Sequence, residues 1–172
     1  MRSTVKENIM EHSEQTAQIA HALAIIANKL YSKNVNLLKV VEIAMYHEAS
    51  EVLTGDLPTP IKYNNPEIKS AYKAIEAIAL KKLLDMIPIE IKEEYRDILI
   101  TDTSSYEYKL VKAADKLCAY IKCIEEMTSG NREFARAEVI IQRELDEYPL
   151  PEVKYFIDNF IDAFRKTLDE LE

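Results

Sequence analysis

His47, Glu48 and Glu51 stand close together in Ala44-Met45-Tyr46-His47-Glu48-Ala49-Ser50-Glu51. In a helix, the i to i+4 spacing sets His47 and Glu51 on one face with Glu48 beside them. An imidazole and two carboxylates can hold a divalent metal, or hold it and leave one carboxylate over as a base. The same spacing equally describes a solvated helix end with a glutamate pair and a half-buried histidine, and spacing does not choose between the two. A zincin motif is excluded, because Glu51 stands where HExxH needs its second histidine. Asp115, in Lys112-Ala113-Ala114-Asp115-Lys116-Leu117-Cys118, faces either solvent beside the two lysines or a polar pocket. Of the other histidines, His12 and His21 are nine residues apart. That is about 180° around a helix, so they cannot serve one site, and His21 reads as a packed or surface histidine.

Helices must position these groups. Periodicity predicts a first helix over about 7–31, with Ile19, Leu23, Ile26 and Leu30 on one stripe. Asn36 caps a second, whose apolar positions Leu37, Val40, Val41, Ala44 and Met45 lead through His47 to Leu53 before Gly55 ends it. Thr54-Gly55-Asp56-Leu57-Pro58-Thr59-Pro60 cannot continue a helix and forms a stiff loop. Asn65-Pro66 opens a third helix to about Met86, and Pro88 a shorter one through Leu99. Ser104-Ser105-Tyr106-Glu107 has the pattern of a capping box before a long helix that runs to Thr128 and stops at Gly130. Residues 131–147 and 151–171 read as two more, on either side of Pro149-Leu150-Pro151.

The expected fold class is therefore all-α, a bundle of about seven helices in one domain over 1–172. Only two glycines and six prolines among 172 residues argue against a sandwich of short strands. A net charge of −8 argues against a polynucleotide partner. No apolar run approaches the ~20 residues of a membrane span, and the first residues lack the apolar stretch of a signal peptide. A cytoplasmic protein with no membrane partner is expected, with Cys118 and Cys123 as buried, reduced thiols. Phe156, Ile157, Phe160, Ile161 and Phe164 near the end of the chain form a packing or dimer surface.

Glu11-His12-Ser13, the segment Ala44–Glu51, Thr54–Pro60, Tyr72-Lys73-Ala74-Ile75-Glu76, Val111–Cys123 and Gly130-Asn131 follow one another in a familiar order. Over residues 6 to about 137 the chain resembles the bacterial 5′-deoxynucleotidases of the HD-domain metal-dependent phosphohydrolase superfamily. The resemblance implies an all-helical homodimer that hydrolyses deoxyribonucleoside 5′-monophosphates to deoxynucleoside and phosphate. It implies that His12, His47, Glu48 and Asp115 hold one divalent cation, such as Co²⁺ or Mn²⁺. It also makes Glu51 the catalytic carboxylate and lines the nucleotide with Asp56, Leu57, Pro58 and Thr59. In this mechanism Glu51 accepts the proton of an attacking water, and in-line attack at phosphorus expels the 5′ oxygen.

The chain departs from the pattern in two places. The signature pair is His-Asp in the family but His47-Glu48 here, one methylene longer. The Arg-Trp pair with which family members orient the phosphate and contact the sugar has no counterpart, leaving Arg2, Lys6 or Lys62 as candidate positive charges. Two alternatives follow from these departures: an HD phosphohydrolase for another small phosphate ester or nucleotide, or a helical nucleotide-binding module with weakened catalysis.

Overall fold

The first helix begins where Asn8 can cap it. The Asn8 side chain accepts from the backbone N–H groups of Met10 and Glu11, and Glu11 returns its carboxylate to the Asn8 N–H at 2.9 Å, a reciprocal capping box. His12 is thereby fixed in the first turn of α1 (Ile9–Leu30). The computed structural model describes residues 2–4, 6–56 and 65–170. Within these, α1 is followed by α2 (Leu37–Tyr46), a single-turn α3 (Glu51–Thr54), α4 (Pro66–Asp85), α5 (Lys92–Leu99), α6 (Tyr106–Thr128), α7 (Ala135–Asp146) and α8 (Pro151–Phe160). Seven of these helices have eight residues or more, and the described residues contain no strand. The all-α expectation holds.

The bundle is organised around α6, which packs against α1, α2 and α7, while α1 also packs on α2 and α8. Leu23, Val40, Leu110, Val111, Leu117, Ile121, Ile124 and Val153 are fully buried between them. So are Ala20, Ala24, Ala27, Ala44, Ala113 and Ala114. Side chains this small let helix backbones approach closely, and the approach brings polar groups on different helices within reach of one another. The helices α4 and α5 pack on each other, with α4 also against α3 and α5 against α2.

Several boundaries differ from those expected. The second helix does not run regularly to Leu53: α2 stops at Tyr46, and Ala49 N–H to the Tyr46 carbonyl and Glu51 N–H to the Glu48 carbonyl are tightened i→i+3 bonds. His47 causes the break locally, because its Nδ1 lies 2.6 Å from the Ala44 carbonyl, the acceptor that a further α-helical bond would use. The fourth long helix starts at Lys92 rather than Pro88, after a turn in which Ile91 N–H bonds back to the Pro88 carbonyl. At α6 the cap is Ser105, not Ser104, and Glu107 caps a neighbour, accepting from the Asn36 N–H at 3.2 Å. The last two segments open or close in 3-10 turns, Arg132–Phe134 before α7 and Ile161–Arg165 after α8. Gly130 ends α6 at φ +86° and Gly55 ends α3 at φ +69°, both in the region that glycine enters without strain.

The carboxy-terminal aromatic cluster serves mainly the monomer core. Phe156 and Ile161 are buried in it, Ile157 and Phe164 pack against it, and Phe160 is exposed. If alanine sets the spacing of α1, α2 and α6, Ala114→Leu should destabilise the protein by about 1–3 kcal/mol through overpacking. Urea denaturation measures this, and an unchanged midpoint would mean that α6 has room to spare at that position.

Candidate functional site

Three separate parts of the chain supply the site. His12 comes from the first turn of α1, His47 and Glu48 from the tightened turn after α2, and Asp115 from the middle of α6. Each offers one donor atom, and these four atoms lie within 4.8 Å of one another. His12 Nε2 is 3.4 Å from Asp115 Oδ1, and His47 Nε2 is 3.4 Å from Glu48 Oε1. The two imidazole centroids are 5.3 Å apart. The longer side chain of Glu48 is accommodated by folding back on the neighbouring imidazole.

The chemistry of this set fits a divalent cation. His47 is buried, and its Nε2 has no hydrogen-bond partner. With Nδ1–H donating to the Ala44 carbonyl, the Nε2 lone pair faces the cluster, which is the tautomer a metal ligand needs. Burial lowers the His47 pKa, so the ring is held neutral. His12 behaves oppositely: the hydrogen bond with Asp115 raises its pKa against the opposing effect of burial. Burial also opposes the charge on Asp115, but His12 and the Lys112 ammonium outweigh it and hold the carboxyl well below the usual carboxylate range. In the metal-free protein a proton on His12 thus balances charge where a cation would. Two imidazole nitrogens and two carboxylate oxygens suit a borderline transition ion.

Glu51 is outside the four-donor group. It is buried at the start of α3, and the expected shared face with His47 is lost because the turn between them is tightened. At three residues per turn, positions four apart diverge by about 120° instead of 40°. Asp56 is exposed just beyond Gly55, whereas Leu57, Pro58, Thr59 and Lys62 lie outside the described residues. His21 is exposed on α1, away from the cluster, as expected of a surface histidine.

Arg2, one of the three candidate positive charges, is tied through its backbone to the far end of α6. Its backbone N–H donates to Glu133 and its carbonyl accepts from Asn131, while Thr4 donates to the buried Glu126. Glu126 lies eleven residues beyond Asp115 on α6, about 16 Å along the axis. Lys6 is exposed.

Three features of the surroundings were not anticipated. Glu7 approaches His12 Nδ1 at 4.0 Å, on the side of the ring away from Asp115. A polar pocket of about 400 Å³ opens beside His47 and Glu48, between the turn after α2, α4, the residues after α5 and α6. A larger groove of about 1140 Å³ reaches Glu48 from the other side, with Ile9, Met10, Met45 and Val52 on its apolar wall. A helix-period reading detects neither cavity, because both depend on how helices distant in sequence meet.

Comparison with known proteins agrees with this geometry. A 5′-deoxynucleotidase of Vibrio vulnificus is 51% identical over 172 residues, covering 99% of this chain and 89% of the relative. A 5′-deoxynucleotidase of Photorhabdus temperata is also 51% identical, covering 99% of this chain and 87% of its own. The crystal structure of an HD-domain phosphohydrolase from Listeria innocua superposes with a TM-score of 0.82 at 25% identity, covering 95% of this chain and 79% of that one. The description of YfbR-like 5′-deoxynucleotidases matches residues 1–164, and the chain belongs to that family.

Proposed function

We infer that the protein is a metal-dependent phosphomonoesterase that hydrolyses deoxyribonucleoside 5′-monophosphates to deoxynucleoside and phosphate. The observation that carries this reading is half-identity with 5′-deoxynucleotidases over nearly the whole chain, in a protein whose His12, His47, Glu48 and Asp115 converge. These four residues would hold one divalent ion, with Co²⁺ or Mn²⁺ favoured by the mixed nitrogen and oxygen donors. When bound, the ion supplies Lewis acidity to a phosphoryl oxygen and lowers the pKa of the attacking water. Glu51 takes the proton of that water as its oxygen bonds to phosphorus and the bond to the 5′ oxygen breaks. Glu51 is buried three residues beyond Glu48 and is not one of the four converging donors, which is compatible with a division of labour between the two carboxylates. Asp56, with Leu57, Pro58 and Thr59, lines the nucleotide in this reading.

We place the reaction in a single HD-type domain spanning 1–172. One buried cluster drawn from α1, α2, α6, α7 and α8 supports it. No described helix is long and apolar enough to cross a membrane, and a cytoplasmic location is supported by two buried free cysteines. The protein acts as a homodimer, for which the exposed apolar residues Met10, Met45 and Val52 of the large groove offer a better surface than the buried tail. Sedimentation equilibrium at micromolar concentration should give about twice the 19.8 kDa chain mass; the mass of one chain would reject the dimer.

Phosphate release from a panel of ribo- and deoxyribonucleoside monophosphates tests the activity. Glu51→Gln should lower turnover by roughly 10²-fold or more with metal content unchanged. Glu48→Gln should lower metal occupancy, with activity partly restored by excess cation. Full activity in the first variant, or unchanged metal affinity in the second, would mean that the carboxylates are wrongly assigned.

Metal uptake should also depend on pH through His12. Its raised pKa means that the metal-free protein holds that proton to higher pH than a free imidazole does, and below that pKa binding must displace it. Apparent metal affinity should fall by about tenfold per pH unit below that pKa, with His47 already neutral and contributing nothing there. The stability of the metal-free protein should move the other way. The His12 contribution is full below the unfolded value of about 6.5 and is lost as pH rises through the higher folded value. Metal titration and urea melts across this range measure both slopes.

A further inference from the structure

We propose that Lys112 is the substrate-binding cation of the site, donating to a non-bridging phosphoryl oxygen of the phosphomonoester. This rests on the phosphomonoesterase reading above and adds to it the residue that receives the anion.

Position is the first reason. Lys112 lies three residues before Asp115 on α6, on the same face, and its ammonium bonds Asp115 Oδ2 while Asp115 Oδ1 faces His12. One carboxylate therefore holds the lysine on one oxygen and the ligand cluster on the other. Lys112 also lines the 400 Å³ polar pocket together with His47 and Glu48, so an anion entering the pocket meets the ammonium beside the cluster. An ammonium has three N–H donors, and the bond to Asp115 uses one.

Charge is the second reason. Two carboxylate ligands cancel the charge of a divalent ion, so a side-chain cation in the pocket adds attraction for a phosphate dianion beyond the ion's Lewis acidity. The chain as a whole, at −8, repels the dianion. The other basic residues near the site have different partners or positions. Lys116 is bonded to Glu144 on α7 and Lys122 sits between Glu7 and Glu126, while Lys69 and Lys73 line the same pocket from α4, with no described contact to a member of the four-donor cluster comparable to the Lys112–Asp115 bond. Arg2 is held at the far end of α6. Lys112 keeps its charge: burial opposes it, but Asp115 outweighs burial and raises its pKa.

The pocket is of a size and chemistry to take the rest of a small phosphate ester. Thr101, Thr103 and Tyr108 provide hydroxyls on one side, and Ile43 and Leu80 an apolar surface.

The test uses inorganic phosphate as the probe, with the metal-loaded full chain as wild type, Lys112→Met and Lys112→Arg. Calorimetry should find phosphate bound at least tenfold more weakly by Lys112→Met, while metal content and metal affinity stay within about twofold of wild type. Lys112→Arg should recover most of the phosphate affinity, and it keeps the test open if Lys112→Met fails to fold, because lost phosphate affinity in a folded, metal-replete arginine variant would also contradict a simple cationic contact. In turnover, KM for the nucleotide should rise in Lys112→Met. Unchanged phosphate affinity in Lys112→Met would overturn the proposal. So would a loss of metal affinity as large as the loss of phosphate affinity, since Lys112 would then merely support Asp115. Phosphate binding that depends on Lys112 in a protein that cleaves no nucleotide would sustain this inference and refute the proposed activity. Nucleotide cleavage with phosphate affinity indifferent to Lys112 would do the reverse.

Discussion

The site depends on the close approach of α1 and α2 to α6. Ala20, Ala24 and Ala27 on α1, Ala44 on α2 and Ala113 and Ala114 on α6 are fully buried. Larger side chains at these positions would push the helices apart, and a shift of an ångström is enough to spoil a set of ligand atoms that must converge. The α1–α6 interface carries this spacing in two polar rungs. His12 meets Asp115 and, one turn further along, Thr16 Oγ1 lies 3.4 Å from Cys118 Sγ. The second rung is buried, and burial pushes the Cys118 thiol pKa up to about 12. That thiol is a packing group under the site, with no thiolate available to compete for the cation.

Electrostatics follow from that geometry. Asp115, a partly buried acidic group among the packed helices, is held by His12 on one carboxylate oxygen and Lys112 on the other. The same contact with Asp115 raises the His12 pKa, so a proton on that ring is favoured where the four donor atoms meet. His47 is prepared differently, by a bond to a backbone carbonyl that both fixes its tautomer and ends α2. Local structure and ligand chemistry are here one interaction: the hydrogen bond that breaks the helix also turns the Nε2 lone pair toward the cluster.

The helices and their caps were largely legible in the sequence, because Asn36, Asn65-Pro66 and Gly130 act through local geometry that any fold would preserve. The expected convergence of His12, His47, Glu48 and Asp115 came from the resemblance. Spacing alone left Asp115 open between solvent and a pocket, since its surroundings are built by α1 and by the turn after α2, far away in sequence. Glu107 was assigned to its own helix because the motif is local, whereas its partner is the Asn36 N–H, 71 residues away. The tail misled in a similar way. Apolar residues at helical spacing state that a face will be covered, but not whether by the same chain, and most of this face is covered by the monomer core.

Glu48 shows how the local irregularity and the longer side chain fit together. In a regular helix, two consecutive ligands point about 100° apart, and the second must be short to return to the cation. After Tyr46 the chain winds more tightly, with i→i+3 bonds, so the side chain at 48 leaves in a different direction and at a larger rise per residue. An extra methylene then allows the carboxylate to come back to 3.4 Å from His47 Nε2. The longer arm has more rotamers to lose on binding, which weakens the site relative to aspartate unless packing restricts it. Glu48 is only partly exposed between the two cavities, so some of that restriction is already present before any ion arrives. Glutamate in place of aspartate in the His-Asp pair is thus compatible with the convergence of the four donor atoms, and its cost falls first on how tightly those atoms are held.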